Sequence, residues 1–184
     1  MSNMVQYFTE EEIKKFLGIG VLRNHRHRVW FRLLYALGLT ITELIHLKVE
    51  DVCFKTRTIR VRTTRRNKER TLNFPYFLLI DLRTEIFGKE PKDYLFQGRD
   101  GMLHPRTVQK ALEKTGKDLG VEASIRKFRK TLALHLLKCG WDEKGIAKML
   151  GHSSPRATRK LMGADRIFFE NRRHPLDRIS RTFY

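Results

Sequence analysis

The chain has only two cysteines in 184 residues, Cys53 and Cys139. They stand far apart in apolar surroundings. That excludes a disulfide framework and a cysteine-based metal motif, and makes two reduced core thiols the expectation. His25, His27, His46, His104, His135 and His174 show no ligand spacing with Cys, Asp or Glu, so no metal and no cofactor is expected. His135 lies inside an apolar helical pattern and reads as a core histidine. No apolar run approaches membrane-spanning length. Met1 to Gln6 lack the basic start and apolar stretch of a secretory leader. An intracellular, cytoplasmic protein is therefore expected. Internal repeats, linkers and low-complexity runs are also missing, which points to one domain over 1–184.

Acidic residues are scarce as well. Lys and Arg number 38 against 20 Asp and Glu, a formal net charge of +18. A small domain stays soluble with a net charge of about 2–8. A larger excess repels itself in the folded state, and a polyanion is the usual counterpart. Nucleic acid fits first and an anionic membrane surface second. Hydrophobic residues at 41% and charged residues at 32% are the proportions of a chain that packs a core, not of a disordered one.

The pattern of residues predicts a mainly helical α+β domain with a small three-stranded antiparallel sheet. Thr9 followed by Glu10, Glu11 and Glu12 has the form of a helix cap and an acidic first turn, and this helix should reach Leu17 before Gly18 and Gly20. Helical spacing of Val29, Trp30, Leu33, Leu34 and Leu37 predicts a second helix over 26–37, closed by Gly38. A third, short helix is expected over 40–47. Three β-prone runs follow, at 52–54, 58–62 and 70–74, the last two with period-two alternation. A helix over 76–86 comes next, then a loop over 88–101 with an extended piece at 94–96. Pro105 should open a helix to about Leu119. Further helices are expected over 125–138, from a cap at Asp142 through Met149, and from Pro155. A basic tail ends the chain. Tyr35 and Tyr76, in apolar helical patterns, are expected in the core.

Several local words accompany this order of elements. Tyr35-Ala-Leu-Gly-Leu-Thr-Ile-Thr-Glu-Leu44 comes first, then Asn67-Lys-Glu-Arg70, then Leu103-His-Pro-Arg-Thr-Val108. Ser124-Ile-Arg-Lys-Phe-Arg-Lys-Thr-Leu-Ala-Leu-His-Leu-Leu137 and Leu150-Gly151-His152-Ser153 complete the series. In this order and spacing they resemble the catalytic domain of tyrosine recombinases of the phage integrase type, over roughly residues 8–165. The resemblance implies the fold of that domain. It sets residues 166–184 apart as a basic C-terminal tail, and the family's N-terminal core-binding domain is expected to be absent.

The resemblance also implies a chemistry. In the family a tyrosine attacks a DNA phosphodiester. Two arginines and a His or Trp hold the nonbridging oxygens, and a lysine protonates the leaving oxygen. Carried over position by position, the second arginine is retained as Arg129 and the later histidine as His152. The first arginine falls at Thr40, the lysine at Arg65, the histidine of the "H-x-x-R" box at Arg126 and the tyrosine at Leu161. Thr40 is neutral and too short to fork onto a phosphate. Arg65 is a poor proton donor. Loss of one clamp donor costs a factor of about 10²–10³ in rate, and loss of the nucleophile removes the covalent route. Arg65 and Arg126 nevertheless keep permanent cations where phosphate would lie. The expectation is a degenerate member that binds duplex DNA without cutting it, with contacts from Arg65, Arg66, Lys68, Arg70, Arg126, Lys127, Arg129, Lys130, His152, Arg156, Arg159 and Lys160. Such contacts go mainly to phosphates and carry little sequence information. The basic run 23–32 reads instead as a solvated face, and Glu43 as structural, pairing a buried cation or capping a turn.

Alternatives remain open at this point. Tyr184 is an outside candidate nucleophile, delivered in trans from the tail, which would make the chain a working strand transferase. Residues 145–160 also resemble a helix-turn-helix, compatible with a transcription regulator, and an RNA-binding protein is a third class. Expected partners are double-stranded DNA and an active recombinase or a second copy engaged through the tail.

Overall fold

The computed structural model describes residues 7–18, 24–63, 68–99 and 101–166. Eight α-helices and two small sheets are found there: α1 (Glu10–Leu17), α2 (His25–Ala36), α3 (Ile41–Ile45), β1 (Val52–Cys53), β2 (Thr58–Thr63), β3 (Lys68–Asn73), α4 (Leu78–Ile86), β4 (Gln97–Gly98), β5 (Gly101–Met102), α5 (Pro105–Asp118), α6 (Ile125–Lys138), α7 (Glu143–Leu150) and α8 (Pro155–Met162). The mainly helical fold with a three-stranded antiparallel sheet is the one expected.

Local chemistry explains most boundaries. Thr9 caps α1 in a reciprocal box with Glu12, and Thr40 caps α3 in the same way with Glu43. Asn24, Ser124 and Asp142 accept from the third amide of α2, α6 and α7. Pro105 and Pro155 occupy the first turns of α5 and α8, where a missing N–H costs nothing.

Helix α2 runs through the centre, against α1, α3, α4, α5 and α6. Where α1, α2 and α6 meet, the rings of Phe8, Phe16, Phe31 and Phe128 pack with centroids 4.8–6.2 Å apart. The Phe8 amide donates to Thr131 Oγ1 at 2.8 Å, pinning the start of the described chain to α6. The sheet has order β1-β2-β3. Its inner face buries Ile59, Val61, Leu72 and Phe74, and Thr58 pairs Asn73 while Thr63 pairs Lys68. Its outer face carries Arg60 and Arg62, both bonded to the buried Asp51 at 2.9–3.2 Å.

Five details differ from the sequence reading. The helix expected from 76 begins at Leu78, because residues 75–79 first make a turn in which Leu78 N donates to Pro75 O and Leu79 N to Tyr76 O. Tyr76 is consequently exposed, beneath the Arg57 guanidinium, and not in the core. Cys53 is exposed as the outward residue of a two-residue edge strand, and Cys139 is half-buried at the C-cap of α6, so neither is a core thiol. Arg32 is buried, not solvated: it bonds Asp81 at 2.7 Å and the Leu17 carbonyl at 2.8 and 2.9 Å. Finally, the stretch 88–101 is not all loop: β4 lies inside it and β5 begins at its end, and its expected extended piece is held by a bridge of Tyr94 to Lys48. Gly20 and the tail from 167 lie outside the described residues.

Candidate nucleic-acid interface

The first turns of α6 and the junction of α7 with α8 converge on a half-buried polar cluster. Arg129, one turn into α6, donates through Nη1 to the Gly38 carbonyl and through Nη2 to the Leu150 carbonyl at 2.9 Å and to His152 Nε2 at 2.9 Å. From the sheet, Arg70 donates through Nε to the Met149 carbonyl at 2.9 Å and through Nη1 to Glu43 Oε1 at 2.5 Å. Two guanidiniums therefore take the last carbonyls of α7, which carry the negative end of its dipole. Gly151 follows at φ 69°, where a side chain is disfavoured, and turns the chain so that His152 meets Arg129.

The proton positions follow from the donors. A guanidinium only donates, so His152 Nε2 accepts. The ring proton then sits on Nδ1, 2.9 Å from Thr158 Oγ1 on α8. Burial and the neighbouring Arg129 and Arg70 charges push the His152 pKa down to about 4, so the ring is neutral at pH 7. For Glu43, burial alone would raise the pKa. The bond from Arg70, its charge, the Thr40 amide and the Arg129 charge outweigh burial and hold the carboxyl below its usual range. Burial lowers the pKa of Arg129, with Glu43 opposing the shift.

The other expected residues divide by exposure. Thr40 caps α3, its Oγ1 accepting from the Glu43 amide at 3.2 Å. Leu161 is half-buried against the core, one turn beyond Thr158 on α8. Arg126 is exposed on the first turn of α6, on the same side as Arg129. Arg156, Arg159 and Lys160 are exposed along one side of α8, although Arg159 also pairs with Glu143 at 3.3 Å. Lys127 folds back, its Nζ 3.1 Å from the Glu122 carbonyl and 4.6 Å from the centre of the Phe8 ring.

Two members of the expected contact set are turned inward. Lys130 is only 4% exposed and pairs with Asp165 at 2.7 Å, because its place on α6 faces the end of α8. The Arg70 side chain is 10% exposed and committed to Glu43 and Met149. Arg65, Arg66, the Lys68 side chain and Tyr184 lie outside the described residues. Glu43 both caps α3 and pairs a buried cation, the two structural roles its pattern offers. Thr158, Asp165 and the carbonyls of Gly38, Met149 and Leu150 were not singled out by sequence, and a hydroxyl, a carboxylate or a backbone oxygen that matters only through a distant partner leaves no local signal. Among the described residues, no group of three or more His, Cys, Asp or Glu side chains could hold a metal ion, and no helix is long and apolar enough to cross a membrane.

Comparison with known proteins sets this geometry in context. Residues 6–163 match the model of the phage integrase family. The chain is 32% identical over 155 residues to the tyrosine recombinase XerA of Pyrococcus furiosus, an overlap covering 82% of this chain and 54% of that protein. It is 32% identical over 156 residues to a tyrosine recombinase of Pseudothermotoga lettingae, covering 83% of this chain and 54% of the relative. The chain thus spans about half the length of these curated relatives. Among solved structures, a crystal structure of XerA recombinase superposes with a TM-score of 0.78 at 23% identity, covering 91% of this chain and 62% of the other. XerH recombinase in a pre-cleavage complex with its difH substrate superposes with a TM-score of 0.71 at 19% identity, covering 86% and 50%. These structures share the fold seen here.

Proposed function

The chain belongs to the phage integrase family, and from that premise we propose that it is a DNA-binding member that grips duplex DNA through phosphates without cutting it. One observation carries the reading. At Thr40 and Leu161, where the family places an arginine and a tyrosine, there is no cation to clamp a phosphate and no phenol to attack one. The Thr40 hydroxyl is engaged in capping α3, and Leu161 is a half-buried aliphatic side chain. Cleavage in this family replaces the P–O5′ bond with a P–O bond to tyrosine and passes a proton to the leaving oxygen. Leu161 has no oxygen to form that bond, and Arg65 does not release a proton near neutral pH.

Binding is supported by what remains. Arg126 and the exposed row Arg156, Arg159 and Lys160 flank the cluster. The cluster itself holds two guanidiniums against one carboxylate and a neutral imidazole, a net positive charge. In the sequence, Arg65 and Arg66 between β2 and β3, and Lys68 at the start of β3, add cations. Single domain organisation over 1–184, with 166–184 as a tail that engages an active recombinase or a second copy, belongs to this reading. So does a place in recombination, integration or mobile-element regulation as an accessory or architectural subunit.

The test is binding to a random-sequence duplex across a salt series, with a nicked suicide substrate run alongside on a denaturing gel. Salt-sensitive binding with no covalent band is expected. A covalent band lost on Tyr184→Phe would overturn the reading in favour of a strand transferase with a relocated nucleophile. Preference for structured RNA over duplex DNA would overturn the choice of partner.

A further inference from the structure

The outer side of α4 is unusual for a charged protein. Ile80 is 77% exposed, Phe87 is 89% exposed and Tyr76, just before the helix, is 57% exposed. Ile80, Arg83 and Phe87 recur at helical spacing and share one side, while Leu78, Asp81, Leu82 and Glu85 face the interior. The β1–β2 turn joins this face at two points. The Arg57 guanidinium lies 3.8 Å above the Tyr76 ring, and that of Arg83 lies 5.6 Å from the centre of the Phe54 ring. Arg57 sits at φ 52°, a backbone conformation that side-chain-bearing residues rarely adopt. The turn thus holds a cation over the aromatic ring despite local strain. Aromatic, aliphatic and arginine side chains in one exposed patch are the composition of a protein interface core, and solvation alone does not account for Ile80 and Phe87.

Charge and position narrow the occupant. Both carboxylates of α4 point inward, Asp81 to Arg32 and Glu85 towards His25, Arg26 and Lys89. The charges left outside, on α4 and on the turn, are Lys55, Arg57 and Arg83, all positive. A second copy would bring like charges together on a chain of net charge +18. DNA would leave Ile80 and Phe87 without apolar contact. The six residues of β2 also put this turn roughly 20 Å from the far end of that strand at Thr63, the end from which the chain leads on to Arg65, so a partner here leaves the proposed DNA face open. We propose that the outer face of α4 and the β1–β2 turn dock an acidic, amphipathic helical segment of another protein, its apolar stripe on Ile80 and Phe87 and its carboxylates on Arg57 and Arg83.

The probe is a displayed library of amphipathic helical peptides whose polar positions vary among Glu, Lys and Gln. It is selected on the full chain with duplex DNA present to cover other cationic surface. Glutamate-rich binders are expected. Their affinity should fall about tenfold on Phe87→Ser or Ile80→Ser, which preserve charge, and also on Arg83→Gln, while Lys117→Gln, an exposed cation on α5, leaves it unchanged. These positions are exposed, so the variants should fold, which circular dichroism verifies. Selection of lysine-rich peptides, no enrichment, or binders indifferent to Phe87→Ser and Ile80→Ser would overturn the proposal. A dimer dispersed by Phe87→Ser would overturn it in favour of self-association.

Discussion

His152 links the cluster to pH. Its folded pKa is pushed to about 4 from an ordinary 6.5, and that of the buried His135, which meets the Tyr35 hydroxyl at 2.6 Å, is also pushed to about 4. A base whose pKa falls on folding is neutral inside and takes up a proton more readily when unfolded. Its contribution is therefore complete above pH 6.5 and is lost as pH falls from there towards 4. One pKa unit corresponds to about 1.4 kcal/mol, so each histidine can account for at most a few kcal/mol. The urea midpoint should drop steadily between pH 7 and 4.5, and the slope should flatten in a His135→Gln, His152→Gln double variant. An unchanged slope in that variant would show that neither ring is held neutral. A bond from a guanidinium, which cannot accept, to a ring that can only accept there is what makes this residue readable from geometry. The sequence shows the histidine and its Leu-Gly-His turn but not the Arg129, Arg70 and Thr158 partners that set its charge state.

Among elements, the α7–α8 turn depends on one glycine more than on the others. Gly151 and Gly88 both have positive φ, 69° and 75°. A methyl added at Gly88 meets nothing within 4 Å, whereas at Gly151 it would lie 2.7 Å from Arg70 Nη1 and 3.1 Å from its Cζ. Gly88→Ala should cost only the left-handed backbone penalty, about 1–2 kcal/mol. Gly151→Ala should cost that and also displace a guanidinium held by Glu43 and Met149, roughly 1–3 kcal/mol more. Denaturation midpoints of the two variants compare them, and equal losses would mean Arg70 does not brace the turn. Element positions were largely legible beforehand because caps and prolines act locally: Thr9, Pro105, Asp142 and Pro155 each mark a start within a residue or two of its place. The β4–β5 pair was not legible, since two-residue strands carry no periodicity. Tyr76 was misplaced because a turn at Pro75 shifts it out of the helical register that its apolar neighbours suggest.

For the whole molecule, the surplus of cations was plain from composition, but its division between inside and outside was not. Arg32, Arg70 and Lys130 read as surface charge, yet their carboxylate partners Asp81, Glu43 and Asp165 come from distant parts of the chain that only the fold brings near. Composition therefore overstates how many cations can meet a polyanion, and this gives the proposed interface a test that does not depend on overall affinity. Each phosphate neutralised releases counterions, and the dependence of log K on log salt steepens by about 0.9 per contact. Arg126→Gln, Arg156→Gln and Lys160→Gln each remove an exposed cation and should each reduce that slope by about 1. Lys130→Met removes the same formal charge from a site that is 4% exposed. It should leave the slope as it was and lower the unfolding midpoint, because Asp165 loses its partner. If Lys130→Met flattens the salt dependence as much as Arg126→Gln does, affinity follows net charge alone and the folded arrangement of cations does not define the interface. If the exposed variants flatten it and Lys130→Met does not, the surface around α6 and α8 carries the phosphates.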